Sequence, residues 1–91
     1  TVVMAGVVVN SDARIDDNCI INTNASIDHD CIVGAHTHIA PGVNLAGCVH
    51  VGRECFLGIG SKAIPEIIIG DKVIAAAGSV IVKNFGDDIS I

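Results

Sequence analysis

The chain has 91 residues and a mass of 9.3 kDa, room for one small domain near the lower limit of what a single hydrophobic core supports, so repetition or self-association is expected to help. Hydrophobic residues make up 51%, yet Phe56 and Phe85 are the only aromatics, and the mean hydropathy is +0.64; this argues against disorder and for thin layers of Val, Ile, Leu, Ala and Cys. A net charge of −5 repels a phosphate backbone, which argues against nucleic acid, and no apolar run approaches the roughly 18 residues of a membrane helix.

The chain opens at Thr1 with no initiator Met, no charged leader and no cleavage site, so no signal or transit peptide is visible in it, and it reads as a piece of a longer protein or as a processed product. From Val3 onward every sixth residue is apolar: Val3, Val9, Ile15, Ile21, Ile27, Val33, Ile39, Leu45, Val51, Leu57, Ala63, Ile69, Ala75 and Ile81. With half of all residues apolar, chance gives such a run about once in ten thousand trials. A second column, starting at Val7 and passing through Cys19, Cys31, Thr37, Cys55 and Ser61, is small or apolar and is expected to face inward where space is tight. The column that starts at Met4 holds Asn10, Asp16, Asn22, Asp28, Gly34, Gly52, Gly58 and Gly70, residue types that tolerate turn geometry.

A period of six matches neither a helix nor a simple strand; it describes a short strand and a corner, repeated. Three such units close a triangular coil of 18 residues, and coils stack at about 4.8 Å. The expected fold is all-β, a parallel β-helix of about five triangular coils forming a single domain over residues 1–91.

Further along the chain the cysteines and charges take their places on this coil. Cys19 and Cys55 share a column but stand two coils, about 9.6 Å, apart, too far for a disulfide. Cys19, Cys31 and Cys55 are read as core packing and Cys48 as a corner residue; unpaired thiols suit a reducing cytoplasm. Residues 1–50 carry five acids and one base, whereas residues 51–91 carry five acids and four bases, so the later coils repel an anion less.

His29, His36, His38 and His50 fall within 22 residues. An imidazole beside a carboxylate is suited to take a proton from an amine or hydroxyl near neutral pH, and His29 has Asp30 on one side and Asp28 on the other. Which of the two reaches Nδ1 is open at this level. His38 lies half a coil from His29, so the two converge only if neighbouring subunits meet. Gly47, one coil above His29, leaves room for a thioester and offers a backbone N–H to an oxyanion.

The hexad pattern over residues 3–84, the segment I-I-N-T-N-A-S-I-D-H-D-C-I-V-G-A-H-T-H-I-A-P-G at 20–42, and G-S-V-I-V-K at 78–83 together resemble the hexapeptide-repeat acetyltransferases that modify sialic acid or nucleotide-linked 4-amino sugars. The resemblance implies a left-handed coil, a homotrimer and acetyl transfer from acetyl-CoA to a sugar amine or hydroxyl, without a metal. It implies His29 as general base with Asp30 beside it, Asn22 at the small-molecule sugar acceptor, and His38 at both acceptor and cofactor. Acetyl-CoA is expected along Gly47, Gly60, Ala76, Ala77 and Gly78, with Lys83 near its phosphates. The relatives also carry an N-terminal Rossmann-like sugar-binding half that this sequence lacks. Glu66 in A-I-P-E departs from the family, where Gly is common. Two other readings are a noncatalytic trimeric scaffold and a metal enzyme like the gamma carbonic anhydrases. The histidine separations of 2, 7, 9, 12, 14 and 21 lack the close pair five residues apart that marks the latter.

Overall fold

The computed structural model describes residues 1–91 and consists of two-residue strands joined by corners. In chain order they are β1 (Val2–Val3), β2 (Val8–Val9), β3 (Arg14–Ile15), β4 (Ile20–Ile21), β5 (Ser26–Ile27), β6 (Ile32–Val33), β7 (His38–Ile39), β8 (Asn44–Leu45), β9 (His50–Val51), β10 (Phe56–Leu57), β11 (Lys62–Ala63), β12 (Ile68–Ile69), β13 (Ile74–Ala75) and β14 (Val80–Ile81). All pairings are parallel, each strand with the one three places away, giving sheets β1-β4-β7-β10-β13, β2-β5-β8-β11-β14 and β3-β6-β9-β12. The register is 18 residues: Ile20 stands between Val2 and His38, and Ile32 between Arg14 and His50. This is the parallel β-helix expected from the period, with the left hand that the family resemblance implied.

Fourteen strands at three per coil make four complete coils and two-thirds of a fifth, slightly fewer than expected. After Ile81 the next inward position would be Asp87, whose carboxylate does not suit the core, and only the single bridges Ile69–Phe85 and Ile74–Ser90 carry the ladder on. The inward columns form the core from Cys19 to Ile81. Val3 and Val9, in the first coil with a neighbour on one side only, stay 53% and 43% exposed.

Two columns have other roles than the sequence suggested. The left-handed backbone falls two residues after the Met4 column, at Asp12, Asn18, Asn24, Asp30, His36, Cys48, Glu54, Glu66 and Lys72 and at Gly6, Gly42, Gly60 and Gly78. The glycines of the Met4 column are bare for a different reason. A Cβ on Gly34 would meet the Gly52 carbonyl carbon at 2.5 Å, and one on Gly58 would meet the Ala77 nitrogen at 2.6 Å, so they let the next coil's backbone close in.

The small inward column also bonds. Cys19, Cys31 and Cys55 each point Sγ at a corner carbonyl of the following coil, those of Gly34, Ala46 and Gly70, at 3.1 Å. Thr37 and Ser61 donate likewise to Gly52 (2.8 Å) and Ala76 (3.2 Å). A thiol or hydroxyl there satisfies a carbonyl that the strand ladder leaves over.

Candidate functional site

The corner between the second and third sheets carries Asp28, His29 and Asp30. Asp28 is committed to shaping it: its Oδ1 accepts from the backbone N–H of His29 at 2.7 Å and from Asn10 Nδ2 at 2.9 Å. Those bonds, the backbone one first, hold its carboxyl below the usual carboxylate value. Asp30 is the one that reaches the ring, with Oδ2 3.1 Å from His29 Nδ1. This pairing places the proton on Nδ1 and leaves the Nε2 lone pair free to accept one. Sequence reasoning could not assign these roles, because they depend on the left-handed turn at Asp30.

The ring rises over the next coil. A Cβ on Gly47 would lie 2.5 Å from His29 Nε2 and 2.7 Å from Cε1, so the bare α-carbon is the seat on which the imidazole rests. The corners are tied by a bond from Cys48 N to the His29 carbonyl at 2.9 Å, while the Gly47 N–H donates to no protein acceptor. A proton acceptor and an unused backbone donor thus stand together. Cys48 completes this corner: its Sγ, an imidazole nitrogen of His29 and a carboxylate oxygen of Asp30 all lie within 4.8 Å of one another. Sequence reasoning missed that contact.

Asn22, at the corner between the first and second sheets, and His38, on β7 of the first sheet beside it, form a separate pair. Asn22 Oδ1 accepts from Thr23 N (2.8 Å) and Thr23 Oγ1 (3.3 Å), which turns Nδ2 toward His38 Nε2 at 3.4 Å. The His38 ring meets Phe56 edge to face, with centroids 5.1 Å apart. Gly60, Ala76, Ala77 and Gly78 lie on this same corner, higher up, and beyond Gly60 and Gly78 nothing stands within 4 Å of a notional Cβ. The N–H groups of Gly60, Ala76 and Gly78 are taken by Pro41, Ile91 and Ile59 carbonyls; that of Ala77 has no protein acceptor. Lys83 follows β14 on the His29 and Gly47 corner, three coil steps or about 14 Å above His29. Its Nζ sits 5.6 Å from the centre of the Phe85 ring.

The candidate residues therefore divide between two edges of the prism, with His29, Asp30, Gly47 and Lys83 on one and Asn22, His38, Gly60 and Ala76 to Gly78 on the other. The second sheet runs between them, and no hydrogen bond joins His29 to His38. The isolated chain encloses no pocket. All four cysteines are free, and burial pushes the Cys31 and Cys55 thiols up, which makes them poor nucleophiles. His36 occupies a left-handed corner and His50 the outer side of the third sheet, both exposed.

Residues 12–47 match the family model described as bacterial transferase hexapeptide (six repeats). The chain is similar to the acetyltransferase domain of PglB from Neisseria gonorrhoeae FA1090, solved in complex with acetyl coenzyme A, at 39% identity and a TM-score of 0.96, over 97% of this chain and 43% of that one. PerB from Caulobacter crescentus, solved in complex with CoA and GDP-perosamine, is 39% identical with a TM-score of 0.87, over 98% of this chain and 49% of that one. A histidine-to-alanine variant of GDP-perosamine N-acetyltransferase from the same organism, also with CoA and GDP-perosamine, gives 40% identity and 0.91, over 98% and 45%. The chain thus spans a little under half the length of the solved structures it matches.

Proposed function

The chain is a hexapeptide-repeat β-helix similar to the acetyltransferase domains of sugar-modifying enzymes, and from that premise we propose that it transfers the acetyl group of acetyl-CoA to the amine of a nucleotide-linked amino sugar. The observation that carries the reading is the His29 imidazole, oriented by Asp30 and seated over Gly47 beside an unused N–H. His29 Nε2 takes the proton of the acceptor amine as its nitrogen attacks the thioester carbonyl. The carbonyl oxygen gains charge beside the Gly47 N–H, the carbon–sulfur bond breaks, and the imidazolium returns its proton to the departing CoA sulfur. No covalent enzyme intermediate is needed.

The site proposed is shared between subunits of a homotrimer. His29 and His38 occupy separate edges, so a heterologous, ring-closing contact is what brings one protomer's base to its neighbour's Asn22 and His38. The outer column of the first sheet supports such packing: Val2, Ile20, Phe56 and Ile74 are 54%, 38%, 40% and 53% exposed along one face, with His38 between Ile20 and Phe56. Ile32 is half-buried between Arg14 and His50 and adds less to an apolar face than its type suggests. In this reading CoA lies between the two edges, along Gly60 and the free Ala77 N–H, with Lys83 at its phosphates. Four unpaired cysteines make the reducing cytoplasm the proposed setting.

The test is CoA release in the presence of acetyl-CoA and a nucleotide-linked 4-amino sugar, with acetylated product identified by mass, using the chain and the longer protein that contains it. His29→Ala is expected to lower turnover by about 100-fold to 10,000-fold with acetyl-CoA binding retained. Mixing His29→Ala with His38→Ala protomers is expected to restore some activity through trimers that hold one intact site. Absence of product, or a fully active His29→Ala variant, refutes the reading.

A further inference from the structure

Cys48 is the cysteine whose thiol has no hydrogen bond; Cys19, Cys31 and Cys55 each spend theirs on a carbonyl. It stands directly above Asp30, 18 residues on, and its Sγ closes a triangle with His29 and Asp30 whose ligand atoms all lie within 4.8 Å of one another. The two corners are held together by the Cys48 N–H to His29 carbonyl bond at 2.9 Å, so the ladder rather than a loop sets the spacing. A thiolate, an imidazole and a carboxylate form the donor set of zinc and its softer neighbours, whereas magnesium and calcium take oxygen. Zinc bonds of about 2.0–2.3 Å place tetrahedral donors about 3.3–3.8 Å apart. Rotation of exposed side chains closes the remaining gap, since His29 and Asp30 are each 57% exposed.

We propose that His29, Asp30 and Cys48 form a capture site for Zn2+ and that its occupation switches the base off. The second half rests on the reading of His29 given above; the first does not. On binding, the Cys48 thiol releases its proton to solvent, Asp30 turns its carboxylate from Nδ1 to the ion, and one imidazole nitrogen donates its lone pair to the metal. A neutral imidazole has a single ring lone pair, so the other nitrogen carries hydrogen and neither can accept a proton from an amine. Free Zn2+ thus inhibits acetyl transfer without displacing acetyl-CoA.

The probes are Zn2+ by calorimetry and Co2+ by absorption, on the wild-type chain, Cys48→Ala and Cys48→Ser. One equivalent per chain is expected on the wild type, with a thiolate-to-cobalt band, and affinity at least about tenfold weaker in both variants, which lose the band. Failure of the wild type to bind one equivalent, or equal affinity in Cys48→Ala, overturns the site whether or not the chain transfers acetyl groups. In the transfer assay without metal Cys48→Ala is expected to match the wild type, and to keep working at a Zn2+ concentration that silences it. Equal inhibition of both, or turnover by the wild type with its Zn2+ bound, overturns the switch.

Discussion

Replacing Gly47 by Ala is expected to disable the proposed chemistry while sparing the fold. Alanine keeps the backbone N–H, and Gly47 is not among the residues with left-handed φ, so the corner accepts a side chain. The added carbon would lie 2.5 Å from Nε2, 2.7 Å from Cε1 and 3.3 Å from Cδ2 of His29, against an ordinary contact of 3.4 Å or more. The ring has to swing away by about 1 Å, a misplacement that costs a reacting group about 100-fold in rate. What it strikes is the far end of a rotatable side chain, so the thermal midpoint is expected to stay within about 3 °C of wild type. The assay is kcat at saturating acetyl-CoA with KM and melting temperature measured alongside, in Gly47→Ala, His29→Ala and the double variant. The double variant is expected to be no worse than His29→Ala, because a base already absent cannot be displaced. Wild-type kcat in Gly47→Ala refutes the seat; a further large loss in the double variant assigns Gly47 a role apart from His29.

Glu66 holds φ at +68°, a conformation that costs an L-residue about 1–2 kcal/mol, so Glu66→Gly is expected to stabilise by about 0.5–1 kcal/mol after the entropy of glycine is subtracted, and a lower melting temperature contradicts this. Ala25→Leu overfills a fully buried position at a cost of about 1–3 kcal/mol, and Cys31→Arg costs more by adding an unpaired charge there, whereas Asp17→Ala on an exposed corner changes little; equal unfolding midpoints would refute the register. Since the folded Asp28 carboxyl lies below 3.8, the bonds that shape the His29 corner contribute stability above the unfolded value and lose it as pH falls through the folded one. Melting temperatures of wild type and Asp28→Ala should therefore differ at neutral pH and converge in acid, and a gap that does not change with pH would show that the charge on Asp28 contributes nothing to stability.

The strand positions were legible because burial on a solenoid depends on one integer period: Ile21, Ile27, Val33 and Ile39 are buried as the count in sixes places them. Turn chemistry was less legible. Asn, Asp and Gly recur in two columns of each hexad, and composition cannot tell a glycine that permits positive φ, such as Gly60, from one that clears the next coil, such as Gly34. Cys31 read correctly as small and inward, but its bond to the Ala46 carbonyl depends on a corner 15 residues away. Glu66 shows the reverse: the departure from glycine was visible, and the structure adds that the glutamate takes up the left-handed turn all the same. Of the candidate site, the positions of Gly47 above His29 and of Cys48 above Asp30 follow from the step of 18; the Asp30–His29 contact and the approach of Cys48 Sγ to it do not, because they depend on the left-handed turn at Asp30 and on side-chain direction, which a period does not encode.

Each coil adds one fixed increment of height, about 4.8 Å, and each corner column climbs straight up the prism. His29 and Lys83 share a column, and the coils between them act as a gauge. Duplicating one 18-residue turn between Gly47 and Lys83 would lift the lysine by that increment without touching a contact around His29, whereas one extra residue in a strand would move the inward side chains that follow it out of their columns. In such a molecule, the reach from reactive corner to cationic end is set by a count of turns, and length can be edited separately from chemistry.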